Sequence, residues 1–265
     1  MIKFNRIIAY GCSMTSGWEL ADHQLVPNMT SDDIDKFKRA SSINEWCEFI
    51  DSVVPPSEKL AAEARLAWPN WIATHFNVEY VNRAVAGGNS QSAIYFIEQD
   101  IASGFINDND LIIVGHTESC RWFWINDTGQ HLHCLLTDDD NDPINSWPHT
   151  HRWPSYEFYK DFVMHVCNSH HLTYQWFHDI KYLDLLSSRL SGRLLQVYCY
   201  HTLPQELDKN PKFYKANFGS VIDDHFSFNS IVDFSDYTQL HCYRHPKAKY
   251  HKEFATHIIE KLINR

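Results

Sequence analysis

Strand-like and helix-like runs alternate along this chain from one end to the other. The first apolar run, Ile7-Ile8-Ala9-Tyr10, is short and β-prone. It gives way at once to Gly11-Cys12-Ser13-Met14-Thr15-Ser16-Gly17, a set of small residues that marks a tight strand-to-loop turn. A polar stretch over 19–58 follows, with a helix predicted at Ile43–Val53 before Pro55-Pro56. Residues 58–76 carry Leu60, Ala64, Ala67, Trp71 and Ile72 at helical spacing, and Pro69 in their middle predicts a break or kink. A second short strand is predicted over 78–82, ending in Ala84-Val85-Ala86-Gly87-Gly88-Asn89-Ser90. The next helix covers 92–103, with Ser90 or Ser92 as its cap. Asp110-Leu111-Ile112-Ile113-Val114-Gly115 is the clearest buried strand, and its near-continuous apolar character suits a parallel strand covered on both faces. Residues 155–190 read as helical, 194–200 as a strand, and 247–263 as an amphipathic helix.

This alternation predicts an α/β protein: a three-layer α/β/α sandwich around a mainly parallel, five-stranded sheet. No internal repeat, low-complexity tract or linker interrupts it. One domain over 1–265 is expected, with insertions near 19–58 and 128–154, the second polar and rich in Asp, His and Pro and read as a long loop or lid.

Composition narrows the function classes. The formal net charge is -10, so a non-specific nucleic-acid partner is not expected, because phosphate binding needs a field of Lys and Arg. The acidic run Asp138-Asp139-Asp140 with Asp142 reads as a solvated loop. Seven cysteines, odd in number and without a CxxC pair, fit free thiols in a reducing cytoplasm. The opening residues lead into an apolar run too short for a signal peptide, and no stretch is long enough to span a membrane, so a cytoplasmic location with no membrane partner is expected. Aromatic residues reach 14%, which fits either core filling or a ring-lined groove for sugars or bases.

Ligands of open parallel sheets bind beyond the carboxyl ends of the strands. Three predicted strand ends here carry groups that hydrolysis uses: Ser13 after the first, Gly87 and Asn89 after the second, Gly115-His116-Thr117 after the third. His245, followed by Pro246 and the last helix, could serve as a base. A serine nucleophile needs such a base to take its proton and amide donors to hold the oxyanion that forms.

Those segments resemble the SGNH/GDSL hydrolase superfamily. Ile7 to Gly17 is similar to the first block, GDSxTxG, with Ser13 at the nucleophile position. Asn82-Arg83-Ala84-Val85-Ala86-Gly87 resembles the second, whose glycine amide serves the oxyanion hole. Leu111 to Thr117 falls where the third block belongs, and His245-Pro246 resembles the HP of the last. The GCS spelling is similar to members common in bacteriophage genomes. The resemblance implies a flavodoxin-like SGNH fold, Ser13 as nucleophile and His245 as general base. It places Gly87, Asn89, His116 and Thr117 about the oxyanion.

The chain also departs from the pattern. Cys12 stands in place of the first block's aspartate, His116 or Thr117 in place of the third block's asparagine, and Cys242 in place of the aspartate three residues before the base. The third triad member is then Asp233, Asp236 or absent, and an orienting carboxylate contributes orders of magnitude to rate. Cys12 reads as a small buried residue rather than a nucleophile.

No cofactor and no metal are expected. His131/His133/Cys134, His149/His151, His170/His171 and His241/Cys242/His245 lack the spacing of a complete zinc site. Gly87-Gly88-Asn89-Ser90 lacks the Lys-Ser/Thr or second glycine pair of a phosphate cradle. The function expected is an esterase or deacylase acting on a small acyl ester, such as an O-acetyl carbohydrate. The alternatives are an acyl or group transferase whose lid excludes water, or an SGNH-fold binding protein impaired in catalysis. The sequence is silent on oligomeric state.

Overall fold

The first strand, β1 (Arg6–Gly11), is buried from Ile7 onward and lies inside the sheet, flanked on both sides by parallel neighbours. The computed structural model describes residues 4–17, 20, 43–85, 87–117, 119, 121–125, 131–135, 169–191, 193–199, 209–225 and 248–263. Over these the chain runs β1, α1 (Ser13–Ser16), α2 (Ile43–Val53), α3 (Pro56–Leu66), α4 (Trp68–Phe76), β2 (Glu79–Asn82), α5 (Ser90–Ala102) and β3 (Asp110–His116). It continues through β4 (Arg121–Ile125), β5 (His131–Leu135), α6 (Ser169–Arg189), β6 (Leu194–Tyr198), α7 (Pro211–His225) and α8 (Ala248–Ile263).

The sheet order is β2-β1-β3-β6, with every pairing parallel. This is the start of the flavodoxin-like order, in which the chain places β2 on one side of β1 and then crosses to place β3 on the other. Side chains alternate between the two faces, as strand geometry requires. Ile7, Leu111, Ile113, Leu195 and Val197 pack with Trp68 and Ile72 of α4, Phe254 and Ile258 of α8, and the α6–α7 aromatics Phe177, Tyr214 and Phe218. Ile8, Tyr10, Ile112, Val114 and Leu194 pack with Ala93 and Ile97 of α5 and Leu183 and Leu186 of α6. Helices thus cover both faces, and the protein is a three-layer α/β/α sandwich.

Four strands form the sheet among the described residues, one fewer than expected; they are the four apolar runs that the hydrophobic pattern picks out. Pro69 does divide the 58–76 segment. Its ring sits in the first turn of α4, where its missing N–H costs nothing, and Ala67 between the two helices is extended (φ -64°, ψ 143°). The next helix begins earlier than expected, and its cap is Asn89. β4 and β5 were not foreseen: Trp122-Phe123-Trp124 pairs antiparallel with Leu132-His133-Cys134 from the polar insertion. No helix among the described residues is long and apolar enough to cross a membrane.

At the amino end of the sheet, Arg6 holds Asp110 through two hydrogen bonds, Nε to Oδ1 at 3.0 Å and an Nη to Oδ2 at 2.6 Å. Arg6 and Arg83 both lie against Phe105, 4.7 and 4.5 Å from its ring centroid. The Arg6–Asp110 pair secures this end of the sheet, and Gly11 and Gly115 lie at the other.

Candidate active site

At the carboxyl ends of β1 and β3, the strands between which the chain reverses direction across the sheet, Gly11 and Gly115 are register partners. An open α/β sheet offers its crevice at this point. The backbone here is packed too closely for side chains. A Cβ on Gly11, whose φ is +146°, would lie 2.6 Å from both Gly115 O and Thr15 Oγ1. A Cβ on Gly88 would lie 2.6 Å from Gly11 O and 2.8 Å from Val85 O.

Ser13 is the first residue of α1, directly beyond β1, with Cys12 as the extended N-cap and Gly17 closing the turn in the left-handed region (φ 83°). The sharp strand-to-helix turn places Ser13 at the sheet end, 5% exposed. Cys12 is completely buried among Met14, Trp68 and Ile72, so its thiol belongs to the core. Thr15 Oγ1 lies 3.8 Å from Cys199 Sγ beneath the turn. Asn82 at the end of β2 donates from Nδ2 to Ser16 O at 3.0 Å and accepts the Ala84 N–H on Oδ1, tying the α1 turn to the next strand.

From β2 the chain crosses the sheet end in a pinned loop. Val85 N–H donates to Gly11 O at 2.9 Å, and Gly88 N–H donates to Val85 O at 2.8 Å. Gly87 adopts φ +80°, which suits glycine. The Asn89 side chain accepts the Ser92 N–H at 2.9 Å while Ser92 Oγ accepts the Asn89 N–H, a reciprocal capping box that opens α5. Asn89 is therefore in place as a helix cap.

His116 ends β3, buried on the α5/α6 face of the sheet. Its Nδ1 lies 2.9 Å from Ser90 Oγ and its Nε2 lies 2.7 Å from Gln196 Oε1. The Gln196 amide nitrogen donates to Asp184 Oδ1 at 2.7 Å and to Ile180 O at 3.3 Å, which leaves the amide oxygen to face the imidazole. Nε2 of His116 thus carries a proton, and in the neutral ring Nδ1 accepts from the Ser90 hydroxyl. Sequence reading missed this chain. Its signal was Gln196, a polar residue within the apolar run Leu194-Leu195-Gln196-Val197-Tyr198. Thr117, the next residue, is completely buried.

The structure therefore brings Ser13, Gly87, Asn89, His116 and Thr117 to neighbouring strand ends. His245, Asp233, Asp236 and Cys242 lie outside the described residues, as do His149, His151 and His241. His170 is on α6, where its Nδ1 lies 3.0 Å from Tyr214 Oη. Among the described residues no group of three or more His, Cys, Asp or Glu side chains could hold a metal ion. One further carboxyl is unusual: burial pushes Asp179 on α6 up to about 7, against the opposing effect of a hydrogen bond from Gln175.

No family model and no curated protein matches the chain. Among solved structures it is similar to a member of the lipolytic protein G-D-S-L family from Veillonella parvula, at 12% identity over 98% of this chain and 99% of that one, with a TM-score of 0.42. It is similar to the psychrotrophic esterase EstA from Pseudoalteromonas sp., at 9% identity over 98% and 100%, TM-score 0.44. It is also similar to a catalytic mutant of Axe2, an acetylxylan esterase from Geobacillus stearothermophilus, at 10% identity over 99% and 95%, TM-score 0.41.

Proposed function

We propose that this chain is an SGNH-type serine hydrolase of the GCS-bearing kind, cleaving a small acyl ester such as an O-acetyl group on a carbohydrate. The observation that carries the reading is the position of Ser13: first residue of α1, two residues beyond β1, in a glycine-bounded turn at the strand reversal, beside the Gly87 loop. In this mechanism Ser13 Oγ attacks the acyl carbonyl carbon as His245 takes the hydroxyl proton. The backbone amides of Ser13 and Gly87 hold the oxyanion. The tetrahedral intermediate then expels the alkoxide, which receives the proton from His245. Water, deprotonated by the same histidine, attacks the acyl-serine. The second tetrahedral intermediate breaks its bond to Ser13 Oγ, which takes the proton back from His245, and the carboxylic acid product departs and ionises. With cysteine at both aspartate positions of the family pattern, Ser13 and His245 work as a dyad, or with Asp233 or Asp236 as the third member. The buried Cys12 supports a packing role for the first of these cysteines.

The test is incubation with a fluorophosphonate followed by intact-mass measurement. One adduct on the wild-type chain, absent from Ser13→Ala, is expected, together with hydrolysis of p-nitrophenyl acetate. A wild-type chain with neither adduct nor turnover would overturn the reading.

A further inference from the structure

We infer that His116 is a positioning residue that clamps the Gly87–Gly88–Asn89 loop through Ser90, so that the oxyanion-binding amide depends on a buried polar chain running back to α6. The inference rests on the serine-hydrolase reading and assigns His116 a different task from direct contact with the oxyanion.

Three observations carry it. First, both ring nitrogens of His116 are engaged, one by Ser90 and the other by Gln196, so the ring is committed to its neighbours within the protein. Second, the chain Ser90–His116–Gln196–Asp184 joins α5, β3, β6 and α6, and Ser90, His116 and Gln196 are all buried. A polar network held in a low-dielectric interior fixes geometry because breaking any link leaves a buried donor or acceptor unmet. Third, Ser90 is the residue immediately after the loop, while the loop's start is held by the Val85 N–H on Gly11 O. The short arm between Val85 and Ser90 is thus anchored at both ends, on β1 and on β3. Gly87, with its positive φ, sits between the anchors.

Two variants test the clamp without touching a residue that meets substrate. Ser90→Ala removes the near link, and Gln196→Leu removes the far one. Steady-state kinetics on p-nitrophenyl acetate is combined with amide hydrogen exchange over residues 83–92. A loosened oxyanion loop predicts a roughly 10- to 100-fold fall in kcat with KM changed less than about threefold, because the loss is confined to the transition state. Exchange across the loop rises in the same variants. Thermal unfolding shows which variant is folded, and either one alone carries the test. Wild-type kcat in a folded variant overturns the positioning role. A fall in kcat with unchanged loop exchange overturns the clamp. Should the wild-type chain prove inactive and unlabelled by fluorophosphonate, it is the hydrolase reading that fails. The exchange arm still decides whether Ser90 and His116 hold the loop.

Discussion

Gly115 and Thr15 approach so closely that a Cβ on the glycine would lie 2.0 Å from the threonine Oγ1. Cys199 Sγ, at 3.1 Å from the same position, closes the other side. The obstruction is the branched side chain of α1's third residue, pressed onto the end of β3, so the turn that carries Ser13 is seated directly on that glycine. Gly115→Ala should therefore destabilise the fold by about 3 kcal/mol, the upper part of the range for overpacking a well-packed core. Thr15→Ala in the same chain removes the offending oxygen and should recover part of that loss. Chemical denaturation of the two single variants and the double variant measures the coupling.

The nucleophile and its base form a second pair whose coupling is testable. Ser13→Ala and His245→Ala should each abolish turnover of a short-chain ester. The double variant should be little worse than either, because a nucleophile and its base act as one unit. Losses that multiply would show that the two act independently. Cys242→Ala should cost less than about tenfold, far short of the loss of an orienting carboxylate.

Asp179 predicts a pH dependence of stability. Its carboxyl, pushed up to about 7 by burial, stays protonated in the folded chain where the unfolded chain has already released the proton near pH 4. The folded state therefore binds more protons between about pH 4 and pH 7, and stability falls as pH rises through that window. Asp179→Asn should flatten this slope, leaving stability near pH 4 little changed. It should raise stability at pH 8 by on the order of a few kcal/mol. Denaturation midpoints of both chains across the window check the sign.

His251 predicts a long-range cap. From α8 its Nδ1 accepts the Trp68 N–H at 3.2 Å, serving the first residue of α4, whose own N-cap Ala67 has no side-chain acceptor. His251→Leu keeps much of the volume and removes the acceptor. It should cost about 1–3 kcal/mol, the penalty for a buried donor left unmet. A thermal melt checks it, and an unchanged midpoint would refute the cap.

Much of the site was legible in the residues for local reasons. Small residues after an apolar run mark a strand-to-helix turn, so Ser13 and its glycine frame could be placed at a strand end. Pro69 announced the break between α3 and α4 because proline favours the first helical turn. The cap of α5, expected at Ser90 or Ser92, is Asn89, because several neighbouring residues there could cap a helix and only the Ser92 amide in place beside Asn89 selects it. His116 was harder, since its partners are Ser90 and Gln196, 26 and 80 residues distant.

The sequence by itself determined the alternation of strands and helices, the apolar faces that bury β1 and β3, and the turn that ends in Ser13. These follow from periodicity and backbone preference, which act over a few residues. Only the tertiary structure decided that β1 lies between β2 and β3, that Gly11 and Gly115 meet in register, and that His116 is held between Ser90 and Gln196. Strand order and buried hydrogen bonds join groups far apart in the chain. Their energies depend on packing and on exclusion of water, and these exist only once the layers have closed.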